Sequence, residues 1–210
     1  TEQVETRFTC TDGRSIMLHC PAEAYAFVYS DEINMDSVGV YLKEVLATHL
    51  PENVENITLN LREEVITSPF YHYTHGLKKH DGNCQRIAHG HRSRIDIILD
   101  GKVSVESQQY WADRWEDIYI ATQEDEIAYS DRKLKGTVDN AEDYYCFAYE
   151  SSQGYFELLI PKSDCEVIDT DSTVECLAQY LLEEQKKRTP EGICQVIAYE
   201  GVGKGATVKG

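Results

Sequence analysis

The sequence predicts an α+β chain of antiparallel hairpins and single helices, and two observations carry that prediction. Apolar residues alternate with period two in short runs bounded by turn residues, while spacings of three and four are confined to a few stretches. The order hairpin, helix, strand also occurs twice, the second copy displaced by 137–140 residues.

Each element follows from its residues. Thr6–Cys10 and Arg14–His19 flank Thr11-Asp12-Gly13, a hairpin turn. After a polar stretch to Asn34, Met35-Asp36-Ser37 opens a helix that sets Val38, Tyr41, Leu42, Val45 and Leu46 on one face. Val54–Arg62 alternates through Ile57, Leu59 and Leu61 and reads as a strand. Phe70–Leu77 and Ala88–Leu99 read as two more strands. Ser107–Ala121 reads as a helix carrying Trp111, Trp115 and Ile118 as a packing face, and Glu124–Ala141 as an exposed loop. The second copy then has a hairpin, Tyr144–Tyr149 with Tyr155–Ile160, a helix over Asp171–Arg188 and a last strand, Gln195–Tyr199. Leu18-His19-Cys20-Pro21 matches Leu158-Leu159-Ile160-Pro161, Tyr41-Leu42 matches Tyr180-Leu181, and Glu63 matches Glu200. The chain therefore divides into a partial repeat, residues 1–66, and a complete unit, residues 67–210. The opening strands of the first copy are expected in a longer natural N-terminus.

The 210 residues suffice for a core without staples. A net charge of −17 argues against nucleic acid and against anionic membranes, because both need clustered Lys and Arg. The longest apolar run, near Phe156–Ile160, is strand-sized and far too short to span a bilayer. Seven widely spaced cysteines, an odd number with no C-x-x-C, point to a reducing cytoplasm.

The chemistry concentrates in two segments, Tyr71-His72-Tyr73-Thr74-His75 and Cys84-Gln85-Arg86-Ile87-Ala88-His89-Gly90-His91. On a strand, His89 and His91 point to the same face, and His75 on the neighbouring strand can come alongside. Three imidazoles on one sheet face suit a Zn²⁺ that keeps an open fourth position. Cys84 is either a fourth ligand, closing a Cys-His₃ site, or a thiolate beside the metal. Lys78, Lys79, Arg92 and Arg94 form a candidate basic cluster that would concentrate an anionic substrate. Gly201-Val202-Gly203-Lys204-Gly205 lacks the spacing of a phosphate-binding loop and reads as a flexible end.

Cys84-x₄-His89-Gly90-His91, with His75 ending an aromatic-x₃-His segment, resembles the 6-pyruvoyl/6-carboxytetrahydropterin synthase family. Ser172-Thr173-Val174-Glu175 resembles that family's Pro-Thr-x-Glu helix start, and Tyr199-Glu200 its late strand ending in a pterin-gripping Glu. The resemblance implies the tunnelling fold, an antiparallel sheet with helices packed on one face, assembling into homo-oligomeric barrels. It implies zinc on His75, His89 and His91, Cys84 as general base, Glu200 as pterin anchor and a pterin triphosphate as substrate. Lys204 is a candidate contact to the triphosphate. The implied activity is a zinc-dependent lyase making 6-carboxytetrahydropterin from dihydroneopterin triphosphate, with release of acetaldehyde and triphosphate, for queuosine (deazapurine) synthesis. A 6-pyruvoyltetrahydropterin synthase and a non-catalytic pterin-binding protein are the alternatives. The third is motivated by a departure: where the family has an Asp-His relay, this chain has Asp164 followed by Cys165. His72 and His80 are the imidazoles that could stand in.

Overall fold

The computed structural model describes residues 2–61, 65–192, 194–201 and 203–210. Its contacts divide the chain into two units, Thr1–Ala24 with Ile66–Gly210, and Tyr25–Val65.

The larger unit holds two sheets. Gln3–Thr9 (β1) and Ser15–Pro21 (β2) form the first hairpin. Then come Phe70–His75 (β3), His89–Leu99 (β4) and the two-residue Lys102–Val103 (β5). A helix, Val105–Arg114, leads to strands Ile118–Thr122 (β6) and Glu126–Ile127 (β7). Tyr144–Ser151 (β8) and Gly154–Pro161 (β9) form the second hairpin, followed by Cys165–Ile168 (β10). A second helix, Val174–Arg188, precedes Cys194–Tyr199 (β11) and Gly205–Lys209 (β12). One sheet runs β1-β2-β9-β8-β7 and the other β10-β6-β3-β4-β11-β12, with β5 on β4. The pairings are antiparallel except β10–β6 and β3–β6. The two hairpins meet through Met17↔Leu159, Leu18↔Leu158 and His19↔Glu157.

Both helices of this unit pack on one face of the second sheet. Trp111 from the first and Trp115 at its C-cap, with Leu177, Ala178 and Leu181 from the second, bury against Tyr71, Tyr73, Ile95, Ile97 and Val196. Glu166 ties this layer together. It accepts from Trp115 Nε1 at 2.9 Å and from Arg114 at 2.8 and 3.0 Å, and Tyr180 donates to it at 2.6 Å.

Four expectations are corrected here. The helix predicted to reach Ala121 stops at Arg114, because Asp117 adopts a left-handed φ of 54° and turns the chain into β6. Glu124–Ala141 is not a free loop. Asp125 and Leu134 are buried, β7 pairs with β8, and the buried Glu157 carboxylate accepts from the Lys133 and Leu134 amides at 2.9 and 3.0 Å. The Gly-rich end is not loose either, since β12 pairs with β11 along its length.

The fourth correction lies in the smaller unit, whose single helix is Met35–Ala47. Asn34 caps it, accepting from the Asp36 and Ser37 amides, while Ser37 Oγ accepts from the Asn34 amide. The strand read over Val54–Arg62 does not form across the described residues 54–61, where no neighbouring strand pairs with the backbone. Glu63, the proposed counterpart of Glu200, lies outside the described residues. No residue of this helix is buried, and Val40, Val45 and Leu46 are exposed.

Candidate metal centre

The β3–β4 register sets the site. His75 lies opposite His89, and Tyr73 opposite His91. Because side chains alternate along a strand, all three imidazoles share the face that carries the core tyrosines Tyr71 and Tyr73. Ring centroids are 4.3 Å apart for His75 and His89, and 5.2 Å for each with His91. One ligand atom from each histidine lies within 4.8 Å of the others.

The rings are held from behind. His75, only 1% exposed, has its Nδ1 2.9 Å from Ser172 Oγ, just before the N-cap Thr173 of the Val174–Arg188 helix. His89 Nδ1 lies 3.0 Å from the Arg86 carbonyl, so it carries the proton and leaves Nε2 with its lone pair. Among the described residues, the Nε2 atoms of His75, His89 and His91 are all buried with no hydrogen-bond partner. Such orphaned polar atoms are costly unless something occupies them. Burial and, next, the neighbouring imidazoles push His75 down to about 2; burial also lowers His89 and His91. All three are therefore neutral at pH 7, the form that binds metal. The donor set, its reach and its protonation fit a metal ion.

Glu200 borders this cluster from the end of β11. Its side chain is 13% exposed, with Oε1 3.5 Å from His91 Nε2 and Oε2 2.7 Å from Lys204 Nζ. The turn that folds Lys204 back closes with Glu200 N donating to the Lys204 carbonyl at 2.9 Å and needs positive φ at Gly201 and Gly203.

Cys84 sits on the one-turn 3₁₀ helix Gly82–Gln85, half-buried, and does not belong to the ligand cluster. Asp164 is drawn elsewhere, pairing with Arg14 and accepting from Ser163. Cys165, standing where a relay histidine was expected, has its thiol pushed up to about 12, chiefly by burial. It is a neutral thiol at pH 7. Of the two substitute imidazoles, His72 points to the opposite face of β3 and lies 3.8 Å from Asp117. His80 lies on the same loop as Cys84, where its carbonyl accepts from Gln85 Nε2.

The expected basic cluster is largely neutralised. Lys78 pairs with Asp125 and Glu124, and Lys79 with Glu124 and Asp171, at 2.5–3.2 Å. Arg92 lies over the Phe70 ring and Arg94 over Tyr199. Sequence reasoning did not single out Ser172 as a support for His75, nor the buried Tyr73 hydroxyl, which has no partner beside the His75 and His91 rings. A Ser directly before a helix-capping Thr was the available signal for the first.

A family model described as 6-pyruvoyl tetrahydropterin synthase matches residues 64–210. Among solved structures, the chain is similar to the Plasmodium falciparum 6-pyruvoyl tetrahydropterin synthase, at 12% identity and a TM-score of 0.47, covering 67% of this chain and 91% of that one. The Plasmodium vivax enzyme is similar at 19% identity and a TM-score of 0.43, covering 68% and 91%. No curated protein matches. Among the described residues no helix is long and apolar enough to cross a membrane.

Proposed function

The chain belongs to the 6-pyruvoyl tetrahydropterin synthase family, and on that premise we propose that it is a zinc-dependent lyase acting on 7,8-dihydroneopterin triphosphate. The product we assign is 6-carboxytetrahydropterin, with release of acetaldehyde and triphosphate, as a step in queuosine (deazapurine) synthesis in the cytoplasm. The observation that carries this reading is the convergence of three buried imidazole Nε2 atoms, none with a hydrogen-bond partner among the described residues, beside the Glu200 carboxylate.

His75, His89 and His91 would hold the zinc, which when bound supplies Lewis acidity to the adjacent side-chain hydroxyls of the substrate. Ser172 and the Arg86 carbonyl keep the His75 and His89 rings turned for that task. Glu200 accepts from the amide N–H and exocyclic amine of the pterin. Lys204, now paired with Glu200 and 73% exposed, is free to swing to the triphosphate once the pterin takes its place. Cys84 takes the carbon-bound proton, and the electron pair left behind drives out triphosphate. One water then adds to the side-chain carbonyl next to the ring, the carbon–carbon bond beyond it breaks, and the departing two-carbon fragment takes a proton to leave as acetaldehyde. His80 is our choice to carry protons in place of the missing relay histidine. We further propose that residues 1–66 are a partial second copy of the fold. The matched residues Leu18 and Leu158 at the centre of the β2–β9 seam support this. Homo-oligomeric assembly is part of the same proposal.

One observation favours a second reading, a pterin-binding protein without turnover: Asp164 and Cys165 form no relay beside the histidines. Mass spectrometry of products from dihydroneopterin triphosphate decides. Acetaldehyde with the carboxy product supports the proposal. A pyruvoyl product moves the assignment to the sister synthase, and tight binding without conversion favours the second reading.

A further inference from the structure

The loop that carries Cys84 and His80 is fixed by one buried amide. Gln85 is 3% exposed, and both ends of its side-chain amide are hydrogen-bonded. Nε2 donates to the His80 carbonyl, and Oε1 accepts from Ser152 Oγ at 3.0 Å and the Gln153 amide at 3.3 Å. The Gln85 carbonyl accepts from Tyr149 Oη at 2.8 Å, and Gln153 Nε2 donates to the Gly82 carbonyl. The tip of the β8–β9 hairpin therefore grips residues 80–85 from a position about seventy residues away in sequence. The loop is closed at its neck by the Leu77 amide on the Cys84 carbonyl at 2.9 Å. Gly76 lets the hairpin come this close, since a Cβ there would collide with Tyr149 Oη and meet Ile87 Cα at 2.8 Å.

A 3₁₀ turn of four residues has little stability of its own, so Cys84 owes its place to these contacts. We propose that Gln85 is a positioning residue of the site: its amide locks the Cys84 loop to the β8–β9 turn and so fixes where the thiol stands. The proposal rests on the reading of Cys84 as the base. Removal of the amide leaves the metal ligands intact, because His75 and His89 take their supports from Ser172 and the Arg86 carbonyl.

The test uses the zinc-loaded full chain with Gln85→Met, similar in length but without hydrogen bonds. Zinc content is expected to stay at the native level. Amide exchange over residues 80–85 should rise at least tenfold while that of β3 and β4 stays native, and Cys84 alkylation by iodoacetamide should quicken at least threefold. With substrate, kcat should fall tenfold or more at little change in KM, with a larger primary deuterium isotope effect on the abstracted hydrogen. Gln85→Glu, which keeps the acceptor for Ser152 and Gln153, should recover part of that loss. Should Gln85→Met not fold, Ser152→Ala is expected to give the same changes, smaller. Unchanged loop exchange and alkylation overturn the clamp, and loosened exchange with native kcat overturns its positioning role. A native chain without turnover, but with the exchange and alkylation changes, retires the base reading and leaves the clamp standing.

Discussion

Replacing Ser172 by Ala removes a single oxygen from the protein, and its effect should be read mainly at the metal. Ser172 is 0% exposed and His75 1%, so no solvent replaces the 2.9 Å contact to Nδ1. Two consequences follow. Without metal, His75 Nδ1 joins Nε2 as a buried atom without a partner, a cost of about 1–3 kcal/mol in apo stability. With metal, the ring loses the group that sets its tautomer and aim, which costs about 10–100-fold in affinity, or roughly 1.4–2.7 kcal/mol. Competition against a chromogenic zinc chelator measures the affinity, and thermal unfolding of the apo chain the stability. Ser172→Thr retains the hydroxyl and serves as the control. Zinc affinity within twofold of native for Ser172→Ala would refute the claim that the buried serine orients a ligand.

The remaining predictions address acid, the base and the anchor. The apo chain should lose stability as pH falls below about 6.5, because the unfolded state then binds protons that the buried histidines refuse; His75 alone, with its folded value near 2, contributes roughly 1.4 kcal/mol per pH unit. Urea unfolding between pH 7 and 5 checks the sign, and rising stability on acidification would contradict it. Cys84→Ala should abolish turnover yet retain nearly all zinc, whereas metal loss in elemental analysis would return Cys84 to the ligand set. Glu200→Gln should weaken a stable pterin by one to two charge-assisted hydrogen bonds, about 1.5–3 kcal/mol each, with an unchanged melting temperature. Equal affinities in titration calorimetry would remove Glu200 from the site.

What could be read from the residues alone was what depends on local pattern. Period two placed β3, β4, β8, β9 and β11, and the spacing of Val174, Leu177, Ala178, Leu181 and Leu182 placed the last helix. The same alternation put His89 and His91 on one face, and His75 beside them needed only antiparallel pairing of neighbours. What was missed depends on distant partners. The Trp111-Trp115-Ile118 stripe is continuous by helical spacing, yet the left-handed Asp117 breaks it between helix and strand. Charged residues 124–135 read as exposed until Lys78 and Lys79, and the Glu157 carboxylate from β9, are seen to bind them. Alternation at Ile57, Leu59 and Leu61 was a genuine strand pattern, but a strand needs a neighbour, and none is paired with it. Ser172 and Gln85 act across 97 and 67 residues, a separation no window on the sequence spans.

The central claim is that three imidazoles hold one zinc. Elemental analysis of the purified chain beside His89→Ala and His91→Ala tests it directly. The native chain should carry about one zinc, and each variant should lose most of it, with the fold retained by circular dichroism. Full zinc in both folded variants, or no zinc taken up by the native chain at micromolar concentrations of the ion, would contradict it.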